Sequence, residues 1–326
     1  MIKQPLVYCI VVTYNAMRWI DKCLQSLTTS SHRPQVIVVD NGSKDLTLSF
    51  IRDYYPMVHI IEGKKNLGFG QGNNIGLKIA LEDKADHILL LNQDARVEKE
   101  TIASLVKAQS DNPQFGILSP LHLNGGGSGF DVYFYDYLVR SGILDWQLTG
   151  LLNNTQEHTI IDTPFVNAAA WLISRDCLEK TGGFDPVFIH YGEDDHYANR
   201  AIFKGFKIGV LNTARIYHDR ERLPADTRLP VRDQIKKDWI IFLNQACDIR
   251  RQHYRHLVLR RLARYSLFTI AKLVTFNTEG VLYNFVMAKK ILFSFAKIKR
   301  SRQVSACDPL PHLQLNKVSD SFICKP

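Results

Sequence analysis

The sequence predicts an α/β protein: a mostly parallel central sheet flanked by helices, followed by a basic helical region. Three observations carry that expectation. Short apolar runs, QVIVVD at 35–40 and ILLL at 88–91 among them, have the length of fully buried strands. Each is followed by a segment whose apolar residues recur at helical spacing, and four such alternations argue for parallel strands with helices on both faces. The runs also stop abruptly in polar residues, as strands do when their carboxyl ends line a ligand crevice.

Residues 6–14 are apolar and β-branched, and 16–27 place Ile20, Cys23, Leu24 and Leu27 on one face, a strand and then a helix. The second strand, 35–40, leads through Asn41-Gly42-Ser43 to a helix ending near Tyr55. A third unit joins a strand at 58–61 to a helix near 71–81, and a fourth joins 88–91 to a helix at 98–109, with a fifth strand at 115–123. The glycines from Gly125 to Gly129 then break the pattern and read as a mobile connection. The aromatics Tyr133, Phe134, Tyr135, Tyr137 and Trp146 have no clean period. Residues 179–186 read as a helix end and turn; a helix runs from the acidic stretch at 193 through Lys204, and a short strand at 207–211 leads to His218. From Ile235 the spacing is helical, with Ile235, Trp239, Phe242, Ala246 and Ile249 on one face and Val281, Phe285, Ala288, Leu292 and Phe295 on another. The expected organisation is a catalytic domain over 1–230, basic amphipathic helices over 231–302, and a loosely ordered tail over 303–326.

The chain has 326 residues, 45% apolar and 22% charged, the make-up of an ordinary globular protein. Its net charge of +9 is regional: residues 235–302 hold 15 Lys and Arg against 3 Asp and Glu, whereas 1–234 hold 24 against 27. Chemistry is therefore expected in front, and contact with an anionic membrane surface behind. Lys272, Glu279, Lys289 and Lys290 interrupt every apolar stretch long enough to span a bilayer. The basic helices lack the interleaved pattern of a nucleic-acid motif, so no nucleic acid is expected. The apolar segment after Pro5 is too short for a signal peptide, and a cytoplasmic protein is expected. Cys9, Cys23, Cys177, Cys247, Cys307 and Cys324 show no CxxC spacing, suggesting neither a zinc site nor a disulfide framework.

Three strand ends carry the candidate chemistry: Thr13-Tyr14-Asn15, Asp40-Asn41-Gly42-Ser43 and Asn92-Gln93-Asp94. Singly these are ordinary helix caps. Together they describe a nucleotide pocket: Tyr14 flanks a base, Asp40 accepts from a ring N–H or ribose hydroxyl, and Asp94 holds a divalent cation on a diphosphate. The stretch NLGFGQGNNIG at 66–76, with Gly68 and Asn74, is not the dinucleotide fingerprint; its glycines either bring backbone N–H groups to a ligand or serve close helix packing. Glu193-Asp194-Asp195-His196 is either a solvated helix start or a carboxylate cluster whose raised pKa suits a general base. His218 would complete a mixed nitrogen–oxygen site for Mn or Mg with Asp94.

The order of VVTYN, VVDNGS, NLGFGQGNNIG, LLLNQD, GGFDPVF, YGEDD and a later histidine resembles the family 2 inverting glycosyltransferases of GT-A fold, in particular their bacterial rhamnosyltransferase-like branch. The resemblance covers about residues 5–220. It implies a Rossmann-like sheet, a nucleotide-diphosphate sugar donor (UDP- or dTDP-linked), a divalent cation, and an acceptor hydroxyl on a growing glycan or lipid-linked acceptor. By position, Thr13, Tyr14, Asn15, Asp40, Asn41, Gly68, Asn74, Asn92 and Gln93 would contact the donor. Asp94 and His218 would hold the metal, and Asp194, with Glu193 second, would be the base. Asn92 replaces an aspartate common in the family's metal motif, and His196 replaces the last aspartate of its acidic turn. A nucleotidyltransferase would need a basic, Gly-rich loop after the first strand, which Thr13-Tyr14-Asn15-Ala16 does not offer; a non-catalytic nucleotide-sugar-binding scaffold remains compatible with the two replacements.

Overall fold

The computed structural model describes residues 4–143, 159–220 and 229–313, and the backbone of 322–324. Four strand–helix units lead: β1 (Val7–Thr13), α1 (Ile20–Thr28), β2 (Gln35–Asp40), α2 (Thr47–Tyr54), β3 (His59–Gly63), α3 (Gly68–Glu82), β4 (His87–Leu91) and, after a short β5 (Ala95–Val97), α4 (Thr101–Asp111). Then come β6 (Phe115–Asn124), α5 (Val132–Arg140), β7 (Ile160–Asp162), β8 (Ala170–Ser174), α6 (Arg175–Thr181), α7 (Glu193–Phe203) and β9 (Lys207–His218). Helices α8 (Val231–Cys247), α9 (Tyr254–Val274) and α10 (Thr278–Cys307) and the strand β10 (Phe322–Cys324) complete the described chain.

The strands form one sheet in the order β10-β3-β2-β1-β4-β8-β6-β9-β5, with β7 paired to β9. Strands β3, β2, β1 and β4 are mutually parallel, while β8 runs antiparallel between β4 and β6. The sheet is thus mixed, with a parallel half where the sequence alternates and antiparallel strands where it does not. Alternation along each strand fills both faces: Ile10, Ile37 and Leu90 join one core, and Val11, Val38 and Leu89 the other. A run of consecutive apolar residues follows directly from burial on both sides.

Close packing of α3 on β1 explains the glycines of 66–76. A side chain at Gly76 would bring its Cβ within 2.9 Å of three Ile10 atoms, and one at Gly72 would meet Val12 at 2.7 Å. Gly68 has φ +82°, and a Cβ there would stand 2.2 Å from the Ile189 carbonyl oxygen. Gly76→Val is accordingly expected to overpack the helix–strand contact and cost about 1–3 kcal/mol, read as a lower urea midpoint at unchanged slope.

Four segments differ from their sequence reading. The aromatic stretch forms α5, because Asp131 caps it by accepting from the backbone N–H groups of Tyr133 and Phe134 and so turns Phe134 and Leu138 inward; Trp146 lies outside the described residues. The Gly125–Gly129 connection folds back on itself, with Asn124 N–H donating to the Gly129 carbonyl. Strand β9 continues past 211 through His218 because it pairs with β6 on one side and with β7 and β5 on the other. The expected loose tail begins as the last turn of α10; Leu313 is buried in the sheet core, and β10 pairs antiparallel with β3. Helices α8, α9 and α10 enclose a smaller core of their own around Phe242, Met287 and Ile291.

Candidate active site

The connection from β1 goes outward to β2 and β3, and the chain then returns to place β4 on the other side of β1. A parallel sheet opens a crevice at such a switch point, beyond the carboxyl ends of its strands. Register puts Thr13 level with Asp40 across that edge. Thr13 Oγ1 donates to Asp40 Oδ1 at 3.0 Å, and the N–H groups of Gly42 and Ser43 donate to Oδ2 at 2.9 and 2.8 Å. The Ser43 hydroxyl takes the remaining acceptor site. Asp40 is fully buried, with all four acceptor positions filled, so it shapes the strand-end loop; contact with a nucleoside would require exchanging one of these bonds.

Next to it, Tyr14 leaves 43% of its surface exposed and donates its N–H to Gln93 Oε1 at 2.8 Å, tying the ends of β1 and β4 together. Asn15, at φ +49°, donates its N–H to Ser43 Oγ and accepts from the Lys44 N–H. Asn41 is buried; its side chain donates to the Gly68 carbonyl and accepts from the Leu67 N–H, holding the start of α3. Gly68 therefore serves the packing of this turn. Asn74, in the first half of α3, clamps the chain before α7: its amide donates to the Phe184 carbonyl at 2.8 Å and accepts from the Phe184 N–H at 2.7 Å.

The second wall carries charge. Asp94 Oδ1 lies 3.2 Å from His218 Nε2, and Asp131 Oδ2 stands behind the same imidazole, 3.4 Å from Nδ1. Strand pairing brings this about, since His218 sits opposite Ala95 on β5 and Asn124 on β6. Asn92 reaches His218 Nε2, the nitrogen that faces Asp94, at 3.5 Å. Burial works against the imidazolium, but the Asp131 and Asp94 carboxylates outweigh it and push the His218 pKa up to about 9. Burial would raise both carboxyls, yet contact with His218 holds Asp94 below its ordinary value and Asp131 at about 2. Arg220 stands 4.0 Å from Asp131, stacks over Tyr133 at 4.6 Å, and acts electrostatically on both Asp94 and Asp194. Sequence reading missed Asp131 and Arg220; a cap residue before the aromatic run and an arginine two places beyond His218 were the available signals.

Among the described residues no cluster of three or more His, Cys, Asp or Glu is arranged around a common metal position. Two donors of the kinds a divalent cation takes nevertheless stand together there. Asp94 offers oxygen, His218 offers Nε2, and Asp131 steadies the imidazole from behind. A cation bound through Nε2 displaces the proton held there.

The third wall is the acidic turn. Gly192, at φ +85°, begins α7 and aligns Glu193, Asp194 and Asp195 in its first turn. Asp194 accepts from the Asp195 N–H at 2.9 Å and the Ala168 N–H at 3.5 Å, and burial raises its pKa. Burial and the Asp194 charge push Glu193 and Asp195 up to about 7. Tyr137 of α5 is pushed up to about 12 by burial and by Asp194 and Asp195, which marks it as a neighbour of the turn. His196 faces away: it is fully buried against Phe188, 3.9 Å from Asp185, and burial drives its pKa well down, so it leaves the base unperturbed.

A raised carboxyl pKa makes a stability prediction. Glu193 binds its proton more tightly folded than unfolded, so its contribution is fully present below about 4.5 and is lost as pH rises to about 7. The slope across that window is at most about 1.4 kcal/mol per pH unit. Glu193→Gln is expected to raise the melting temperature at pH 8 and to have little effect at pH 4, measured by calorimetry.

Comparison with known proteins places this geometry. Residues 8–182 match the profile described as Glycosyl transferase family 2. The chain is 23% identical over 299 residues to the dTDP-rhamnosyl transferase RfbF of Shigella flexneri, covering 90% of this chain and 95% of that one. It is 25% identical over 231 residues to the N-acetylglucosaminyl-diphospho-decaprenol L-rhamnosyltransferase of Mycobacterium tuberculosis, covering 65% and 75%. Among solved structures, the mannosyltransferase PcManGT from Pyrobaculum calidifontis in complex with GDP-Man and Mn2+ aligns at a TM-score of 0.54 and 20% identity, covering 90% of this chain and 89% of that one. The S. aureus TarS structure aligns at 0.55 and 18%, covering 75% and 65%. The shared architecture is the GT-A fold.

Proposed function

The chain belongs to glycosyl transferase family 2, and on that premise we propose that it is an inverting transferase moving a hexose or deoxyhexose from a UDP- or dTDP-sugar to a hydroxyl of a growing cell-surface glycan or lipid-linked acceptor. The observation that carries this reading is the nearness of the Asp94–His218 pair to the Asp194 carboxylate: Asp194 accepts from the Ala168 N–H, the neighbouring Ala169 carbonyl accepts from the Asn92 N–H, and the Asn92 amide reaches His218. The names of the Shigella and mycobacterial relatives favour a deoxyhexose donor.

The nucleoside lies along the β1 edge, where Thr13, Tyr14 and Asn15 end the strand and the exposed Tyr14 ring offers a stacking surface. Asn92 and Gln93 border the sugar, and Asp94 and His218 would hold a divalent cation. When bound, Mn or Mg supplies charge neutralisation on the leaving diphosphate. Asp194 takes the acceptor hydroxyl proton as its oxygen attacks the anomeric carbon. The bond to the diphosphate breaks on the opposite face, and its electron pair leaves on the phosphate oxygen beside Arg220. A carboxylate whose pKa is raised by burial is a better proton acceptor at neutral pH than an ordinary one. The catalytic unit spans 1–230, and the basic helices over 231–302 place it against an anionic cytoplasmic leaflet, where a lipid-linked acceptor resides.

A thermal-shift panel of nucleoside diphosphates tests donor recognition. UDP or dTDP is expected to raise the melting temperature, more so with Mn, since a ligand binding only the folded state stabilises by mass action. A panel in which no nucleoside diphosphate shifts the transition rules the reading out.

A further inference from the structure

No helix among the described residues is long and apolar enough to cross a membrane, yet α9 and α10 carry an apolar surface that nothing in the described chain covers. Of the 25 large hydrophobic residues exposed in the described structure, 12 fall on these two helices and the turn between them. On α9, Leu259, Ile270 and Leu273 are exposed beside the buried Val258 and Tyr265, and Leu262 lies between them, packed against the small core and facing the groove. At the turn Val274 is 74% and Phe276 92% exposed, and Phe276 holds a positive φ of 52° that a bulky residue rarely adopts. Between the helices runs an apolar groove of about 450 Å³, lined by Leu262, Ser266 and Thr269 from α9 and Phe285, Leu292 and Phe293 from α10.

We propose that the α9–α10 hairpin is a membrane wedge: the Val274–Phe276 tip and the groove enter the boundary between headgroups and acyl chains of an anionic bilayer, and the flanking basic side chains bind its phosphates. Charge selects this occupant. Residues 254–307 hold 11 Lys and Arg against the single Glu279, so a second copy docked on the same face would set one basic collar against another. An anionic surface complements the collar, and acyl chains complement the tip and groove. Arg260, Arg261 and Arg264 are carried on the other side of α9, Arg264 lining a cleft with Asp238 and Phe242 of α8, and Lys289 stands in the groove itself. The wedge is also tied to the chemistry: α8 packs with both helices, and its Ile240 and Asn244 lie against Gly192, the residue that starts the acidic turn. This deepens the reading of a lipid-linked acceptor, and its test measures vesicle binding rather than turnover, so the two can fail separately.

The full chain is expected to sediment with mixed phosphatidylglycerol–phosphatidylcholine vesicles and not with phosphatidylcholine alone. The tryptophan emission of a Phe276→Trp variant is expected to move to the blue only with the mixed vesicles. The double variant Val274→Asp/Phe276→Asp changes two exposed positions; it is expected to keep the wild-type melting temperature while vesicle affinity drops about tenfold or more. Equal affinity of the double variant, or an unmoved Phe276→Trp emission, overturns the wedge. A dimer by light scattering that the double substitution dissociates also overturns it, by making a second copy the occupant.

Discussion

Replacing Asp194 by asparagine is expected to lower turnover by roughly 10²- to 10⁴-fold, the contribution typical of a positioned general base, while leaving nucleoside diphosphate affinity unchanged. Asparagine keeps the shape and its one amide oxygen can still accept from the Asp195 N–H, giving up only the long 3.5 Å contact from the Ala168 N–H, so the start of α7 is preserved. What it loses is the ability to take a proton. Because Glu193 and Asp195 stand at about 7 and share the Asp194 charge, the wild-type rate should fall as pH drops through that region, with the cluster titrating as a unit. Steady-state kinetics of Asp194→Asn against pH checks both statements; wild-type turnover in that variant removes Asp194 from the mechanism.

The second large effect belongs to the charged wall. Asp94→Ala is expected to weaken donor binding and to abolish the added stabilisation from Mn, because His218 then keeps only Asp131 and the cation loses its carboxylate. Removing one partner of a buried charge pair typically costs about 2–5 kcal/mol, part of which will appear as a lower melting temperature. Arg220→Ala differs in kind. Its guanidinium is part-exposed and packs on Tyr133, so the fold should survive, whereas loss of one preorganised group beside developing charge typically lowers turnover by about 10²–10³. Titration calorimetry with UDP and dTDP, with and without Mn, separates the two variants: Asp94→Ala is expected to lose affinity and metal response together, and Arg220→Ala to retain the metal response.

Residues whose signal is local could be read from the sequence, and those whose role comes from the fold could not. Strand β2 was legible to the residue because a run of apolar side chains closed by Asp40-Asn41-Gly42 has few other conformations. Strand β5 was not, since three residues carry no period; it exists because Ala95 finds His218 across the sheet. Helix α5 was obscured by its aromatics, which mark both the inner and outer faces. Asp94 and His218 were paired by chemical type alone, and their contact at 3.2 Å depends on β9 continuing well beyond Leu211. Asp131 and Arg220 reach the site from segments far apart in the chain, and a lone carboxylate and a lone arginine resemble every surface charge in a sequence. The glycine-rich stretch gave two readings, and packing against Ile10 and Val12 accounts for Gly72 and Gly76. Asn74 illustrates the same limit, because the backbone it clamps lies 110 positions away.

Donor turnover is the most direct measurement. Purified chain incubated with UDP- and dTDP-hexoses and deoxyhexoses, followed by proton NMR, is predicted to release nucleoside diphosphate and a sugar of inverted anomeric configuration slowly without acceptor, and not when Asp194 is asparagine. Release of pyrophosphate would indicate a nucleotidyltransferase, and binding of nucleotide-sugar without turnover would indicate a scaffold; either result contradicts inverting sugar transfer at this site.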